Sequence, residues 1–176
     1  KNTSLGKDTL FDNTTGANNV AIGNEALANN TTASNNVAVG HQAGLANTTA
    51  IQGTFVGEQA GFSNTTGIGN TLIGSDSGHL LTTGTRNQFF GKNSGETITT
   101  GSKNSIIGAY NGNENGLDIR TSSNFIVLSD GDGNPRASVD NNGTFRINKV
   151  ASSSAATGFE CEADGDTYIT CDLSNG

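Results

Sequence analysis

One short phrase returns along this chain: Asn, three residues of which the last is apolar, then Gly. It reads Asn-Val-Ala-Ile-Gly over residues 19–23 and Asn-Val-Ala-Val-Gly over residues 36–40. The closing glycines are Gly6, Gly23, Gly40, Gly57, Gly74, Gly91 and Gly108, and every one stands seventeen positions after the one before. A period this long, kept through seven copies without an insertion, marks a repeat architecture in which like units stack on one another. Composition alone would argue otherwise. Only 32% of the 176 residues are hydrophobic and 14% charged, a balance that approaches disorder. Strict register decides against that, because a disordered tract has no reason to keep it. Pro135 is the single proline, which leaves backbone donors free for long ladders.

Alignment on the glycines exposes the unit. The residue before each is Leu5, Ile22, Val39, Val56, Ile73, Phe90 or Ile107, apolar in all seven. One position earlier stand Ser4, Ala21, Ala38, Phe55, Leu72, Phe89 and Ile106. Neighbouring strand residues point to opposite faces. A strand apolar on both faces is covered on both. The expectation is that the first row faces the core and the second packs against another copy of the chain. Asn recurs four residues before the glycine at Asn2, Asn19, Asn36, Asn70, Asn87 and Asn104, with Gly53 the one break. These read as turn residues or as a stacked amide ladder. Small residues follow the glycine by three (Thr9, Ala26, Ala43, Ala60, Ser77, Ser94). Leu10, Leu27, Gly44, Gly61, Gly78, Gly95 and Gly112 follow by four and suggest a tight corner. Paired threonines, from Thr14-Thr15 to Thr99-Thr100, predict a second short strand in each unit. Strand, turn, strand, turn within one period describes an all-β parallel β-solenoid rising roughly 30–35 Å over seven coils.

The phrase Asn-Val-Ala-Ile-Gly-Asn-Glu-Ala-Leu and its echo Asn-Val-Ala-Val-Gly-His-Gln-Ala-Gly resemble the head repeats of trimeric autotransporter adhesins of the YadA type. The Asn-Thr-Thr-Gly linkers at 13–16 and 64–67 resemble more closely the same repeats in bacteriophage tail-fibre proteins. The likeness covers residues 2–112. It implies a left-handed β-roll and a homotrimer. The period here is seventeen against fourteen in the bacterial heads, and no coiled-coil stalk or membrane anchor is visible; both departures favour the phage likeness.

After residue 112 the period is lost. Residues 113–149 predict a small β meander that caps the array, as solenoid ends require. A Ser/Ala linker at 151–158 and a β-hairpin at 159–172 complete the third segment, 150–176. The hairpin would bring Cys161 and Cys171 onto opposing strands, where a disulfide and two free thiols are both compatible with the residues. The chain opens in mid-repeat at Lys1 and contains no Met, which suggests a fragment or processed product.

Charge and motifs narrow the function. Net charge is −7. Residues 1–112 carry six acids and five bases, and residues 113–176 ten acids and four bases. No basic patch suggests nucleic acid or an anionic membrane as partner, and no apolar run approaches the ~18 residues of a membrane span. Asp130, Asp132 and Asn134 have the spacing that opens a calcium loop, but Pro135 follows and the twelfth position is Asn141, so a turn is expected. His41 and His79 fall at different repeat positions and read as solvent-facing rather than as a metal pair. No catalytic constellation or cofactor motif stands out. An enzyme is not expected, short of a glycan depolymerase built from carboxylates of neighbouring chains. The leading expectation, carried by the resemblance, is a structural and adhesive segment of a phage tail fibre. It would act in the virion with other fibre proteins and attach to a host-surface glycan or protein. A bacterial cell-surface adhesin head is the alternative. An ice-binding solenoid is a weaker one, since adjacent threonines would expose only a single file. Contact residues are sought at the variable positions just past the corner: Phe11, Leu45, Phe62 and His79.

Overall fold

The computed structural model describes residues 1–147. The expected linker, hairpin and Cys161–Cys171 pairing lie outside the described residues. Seven short strands, β1 (Thr3–Leu5), β2 (Val20–Ile22), β3 (Val37–Val39), β4 (Thr54–Val56), β5 (Thr71–Ile73), β6 (Gln88–Phe90) and β7 (Ser105–Ile107), pair in parallel and in register. Each residue stacks on its equivalent one period on, as Ala21 on Ala38 and Phe55 on Leu72. The array is a parallel β-solenoid of about seven turns, as the period requires. Each turn holds one strand, not two. The threonine pairs lie in bends, where the first hydroxyl of each pair donates to the next turn's carbonyl, from Thr14 to Thr31 (2.9 Å) through Thr82 to Thr99 (3.1 Å).

The interior reverses the expected assignment of the two apolar rows. Ala21, Ala38, Phe55, Leu72, Phe89 and Ile106 are wholly buried within the single chain. The row beside the glycines faces outward instead: Leu5 is 69% and Ile107 57% exposed, and Ile22, Ile73 and Phe90 are also exposed. The reason is the small volume inside so short a coil. Its inner row must fit against the position six further along the chain, across the coil, so the two are never both large; in the third turn both are small, Ala38 and Gly44, and Leu27 and Phe55 of the adjacent turns fill the space. Ala21 faces Leu27, whereas Phe55, Leu72 and Phe89 face Gly61, Gly78 and Gly95. A methyl added at Gly61 would sit 2.5 Å from Phe55 Cδ1. Large side chains cannot occupy both positions at native packing density. The outer row answers to no such neighbour and stays large throughout.

Both asparagine columns run along the interior; the first is an amide ladder on either side of Gly53, whereas the second is linked only through Asn13, Asn30 and Asn47, and the buried Asn47 Oδ1 has no partner among the described residues. Each Oδ1 of the first accepts the backbone N–H one turn on, Asn19 from Asn36 (3.0 Å) and Asn87 from Asn104 (3.0 Å). Each Nδ2 donates to the corner carbonyl of the next turn, Asn19 to Ala33 (2.9 Å) and Asn70 to Gly84 (2.8 Å). Buried amides paired this way avoid the penalty of unsatisfied polar groups. The second column, Asn13, Asn30, Asn47 and Asn64, gives way to Leu81 and Ile98. Gly53 breaks the first because the Phe55 ring stands where a side chain would begin, with Cζ 2.5 Å from an added Cβ. The closing glycines have φ between +108° and +142°, a region closed to L side chains. The backbone of the next turn also abuts them, that of the next closing glycine in every case but Gly108, which meets Ser129; at Gly57 it lies 2.5 Å from an added Cβ.

The parallel ladder continues past residue 112. Strands β8 (Asn113–Glu114) and β9 (Leu117–Asp118) form an inserted hairpin. β10 (Ile126–Ser129) then pairs in parallel with β7, Ile126 beside Ser105, after a turn lengthened by the insertion. The expected meander follows as β11 (Pro135–Val139) and β12 (Phe145–Ile147); β11 runs antiparallel to β10, and β12 to β11. Two like turns pin it. Asp130 accepts the N–H groups of Asp132 (3.1 Å) and Asn134 (2.9 Å) and is paired with Arg136. In the following turn, Asp140 accepts those of Asn142 (2.9 Å) and Thr144 (3.0 Å) and pairs with Arg146 (2.6 Å). The Asp130–Asn134 stretch is therefore a turn whose carboxylate oxygens are held by protein donors.

Candidate functional site

Two surface features stand out, one apolar and continuous, the other grooved. The first is the outer face of the ladder. Leu5, Ile22, Val39, Val56, Ile73, Phe90 and Ile107 form one file, continued by Leu128 of β10 through its pairing with Ile107. Exposed Ile126, Phe145 and Ile147 carry it into the cap. The file holds no charged residue. A contiguous apolar stripe along a whole sheet exceeds the scattered exposed hydrophobics of ordinary surfaces and marks an interaction site.

The second feature lies at the corner after the closing glycine. Two residues there sit in the left-handed region, two and four positions past the glycine, as at Glu25 (φ 57°) and Leu27 (φ 50°). This double reversal turns the next side chain outward. Phe11, Ala28, Leu45, Phe62 and His79 thus form one column, so the structure brings the four residues singled out in the sequence into a single file. Phe11 is 73% exposed and Ala28 only 7%. The rings of Phe62 and His79 stack with centroids 4.9 Å apart and planes 4° from parallel. His79 is therefore less open than expected, its Nδ1 buried and 3.5 Å from Asp76 Oδ1 without a hydrogen-bond partner. His41 stays on the surface, 3.9 Å from Glu58.

Beside the column runs a ladder of polar side chains. Gln42 Nε2 donates to Glu25 (2.6 Å), and Gln59 Nε2 donates to Gln42 (2.9 Å). Between ladder and column, Asp8, Phe11, Glu25, Ala28, Asn29 and Leu45 line a groove of about 320 Å³. Sequence reasoning reached Phe11 and Leu45 but missed Asp8, Glu25 and Asn29. The available signal was Ala28, the one small residue in the column between Phe11 and His79.

A further groove of about 410 Å³ opens where the hairpin meets the last turns, lined by Leu80, Thr97, Thr99, Asp118, Arg120 and Thr121. Arg120 forks onto Asp118 (3.0 and 2.8 Å) and holds that carboxyl below its usual range. Nearby Tyr110 donates to the Leu117 carbonyl (2.8 Å), and burial first, then Asp118 and Glu114, raises its pKa. Among the described residues no three His, Cys, Asp or Glu side chains come together as metal ligands.

The second threonine of each pair, Thr15 through Thr100, is exposed while the first is turned into the ladder. The exposed threonines make a single file, not a two-row lattice.

What these features define is a β-solenoid with an uncovered apolar face. No family model, curated protein or solved structure matches the chain.

Proposed function

We propose that this chain is a structural and adhesive fibre segment that works as a homotrimer, most closely resembling the β-roll repeats of phage tail fibres. The observation that carries the reading is the unbroken outer file from Leu5 to Leu128. Three left-handed solenoids packed side by side would bury it along their common axis. Apolar burial contributes about 25 cal/mol per Å² before the costs of association. In-register turns suit a load-bearing rod, since every strand of the ladder but the outermost is bonded on both edges. The corner column and its groove lie on another side of the coil and would stay outward in such a bundle. Threefold presentation would raise the avidity of a weak surface contact. In this reading the protein belongs to a virion, joins other fibre proteins and attaches to the host surface without catalysis.

Light scattering behind a sizing column tests the assembly. Three times the chain mass is expected. A monomer at micromolar concentration would refute the fibre reading, because the outer file would then be stable in water.

A further inference from the structure

The corner column accepts one side chain per turn, and its best-filled stretch shows what shape it takes. At Phe62 and His79 the occupants are rings, stacked nearly parallel at 4.9 Å. That spacing is close to the ~4.8 Å rise of a parallel ladder. One turn before Leu45 the same position is Ala28, recessed between the exposed Phe11 ring and Leu45. The column thus lacks one ring, and the missing rung is the groove of about 320 Å³.

We infer that this vacant rung binds one neutral pyranose unit of a glycan. Three properties of the slot select that chemistry. Its ends are apolar and face each other along the solenoid axis, about two ladder spacings, or ~10 Å, apart. A chair pyranose is thicker than a planar aromatic ring and fills a rung of this height with its C–H faces against Phe11 and Leu45. The rim is Asp8, Glu25 and Asn29, whose oxygens accept hydrogen bonds from ring hydroxyls, and bonds to ionised acceptors are the stronger kind. No Lys or Arg lines the groove. Lys7 stands outside it, 3.2 Å from Asp8 and 82% exposed. A sialic acid, uronate or phosphorylated sugar would meet two carboxylates with no lining cation, which excludes the anionic sugars; Lys7 and Gln42 already engage Asp8 and Glu25, so no cationic sugar is called for and the neutral class remains.

This deepens the attachment reading by naming the ligand class, yet the slot belongs to one chain and is tested apart from assembly. The full chain is titrated with methyl glycosides of glucose, galactose, mannose and N-acetylglucosamine, up to about 20 mM, above the millimolar constants expected of a single small ring. NMR follows the Phe11 ring and Ala28 methyl resonances. At least one neutral glycoside should shift both, and free sialic acid should shift neither. Ala28→Phe places in the slot a ring the column already carries at Phe11 and Phe62; it should abolish binding with mass and melting temperature unchanged. Phe11→Ala should weaken binding about tenfold. Absence of any shift with all four glycosides overturns the inference, as does binding that survives Ala28→Phe or a stronger response to sialic acid. Trimer mass with no glycoside binding removes the slot alone; glycoside binding by a monomer removes the fibre reading alone.

Discussion

The narrow volume inside the coil makes a prediction about one pair of residues. Gly53 interrupts the asparagine ladder, and the structure attributes the interruption to the Phe55 ring, 2.5–2.6 Å from where a Cβ at position 53 would stand. Phe55 is wholly buried. Phe55→Ala should therefore cost about 3–5 kcal/mol, the range for buried Phe→Ala. Gly53→Asn alone should also destabilise, by ~1–3 kcal/mol or more, since a rigid buried ring must move. Together the two should not add. Removing the ring vacates the space, and the new amide would present its Oδ1 to the N–H of Asn70, as Asn19 does to that of Asn36 (3.0 Å). The double variant copies the third turn, where Ala38 sits beside Asn36 and faces Gly44. We expect a favourable coupling of ~1–3 kcal/mol. Urea denaturation of wild type, both single variants and the double variant, at one protein concentration so that self-association is held constant, measures it. Additivity within about 0.5 kcal/mol would refute the reasoning and place the requirement for Gly53 in the backbone.

Other outcomes follow from the same geometry. Gly57→Ala should destabilise by at least about 1–3 kcal/mol from its φ of +133° alone, with a further loss as the Gly74 backbone is pushed away, read as a lower denaturation midpoint. Ile73→Asp, on the outer file, should leave the circular dichroism of the solenoid intact while reducing the mass in solution to that of one chain. The cap should be acid-labile. Some burial of Asp130 disfavours its charge, but the donors of Asn134, Arg136 and Asp132 outweigh this and bring its pKa down to about 2. Asp140 is lowered in the same direction, chiefly by the Thr144 N–H and Arg146. A folded-state pKa below the unfolded value means stabilisation that is complete above about pH 4 and is lost as pH falls through about 2 for Asp130. Protection from hydrogen exchange, taken relative to the intrinsic rate at each pH, should fall across that interval at the amides of Asp132, Asn134, Asn142 and Thr144 while the ladder amides of Ala38 and Leu72 keep theirs; an equal fall in both would contradict a local effect.

Much of this architecture was legible in the residues. Seven glycines at one spacing determine the length of a turn, and identical positions must stack when turns of equal length pair in register. The apolar nature of both strand faces was legible as well. Which face points inward was not, because a period of two distinguishes two faces without naming either. Tertiary structure decided it through volume: Ala21 with Leu27 and Phe55 with Gly61 fill one narrow interior, whereas Ile22 or Ile73 answers to nothing across the coil. That the two positions six apart are never both large was in the sequence and was the signal to read; the turn where both are small, Ala38 with Gly44, is filled by Leu27 and Phe55 from its neighbours. The threonine pairs misled because β propensity is weak against local geometry, and here the bend lets each hydroxyl bond to the next turn. The end of the array was read too early for a similar reason. The hairpin β8–β9 interrupts the spacing, yet backbone donors at β7 still require a partner, and β10 supplies it from beyond the insertion. The corner column belongs to both accounts: its members share one repeat position, but only the stacked rings of Phe62 and His79 give the gap at Ala28 a shape.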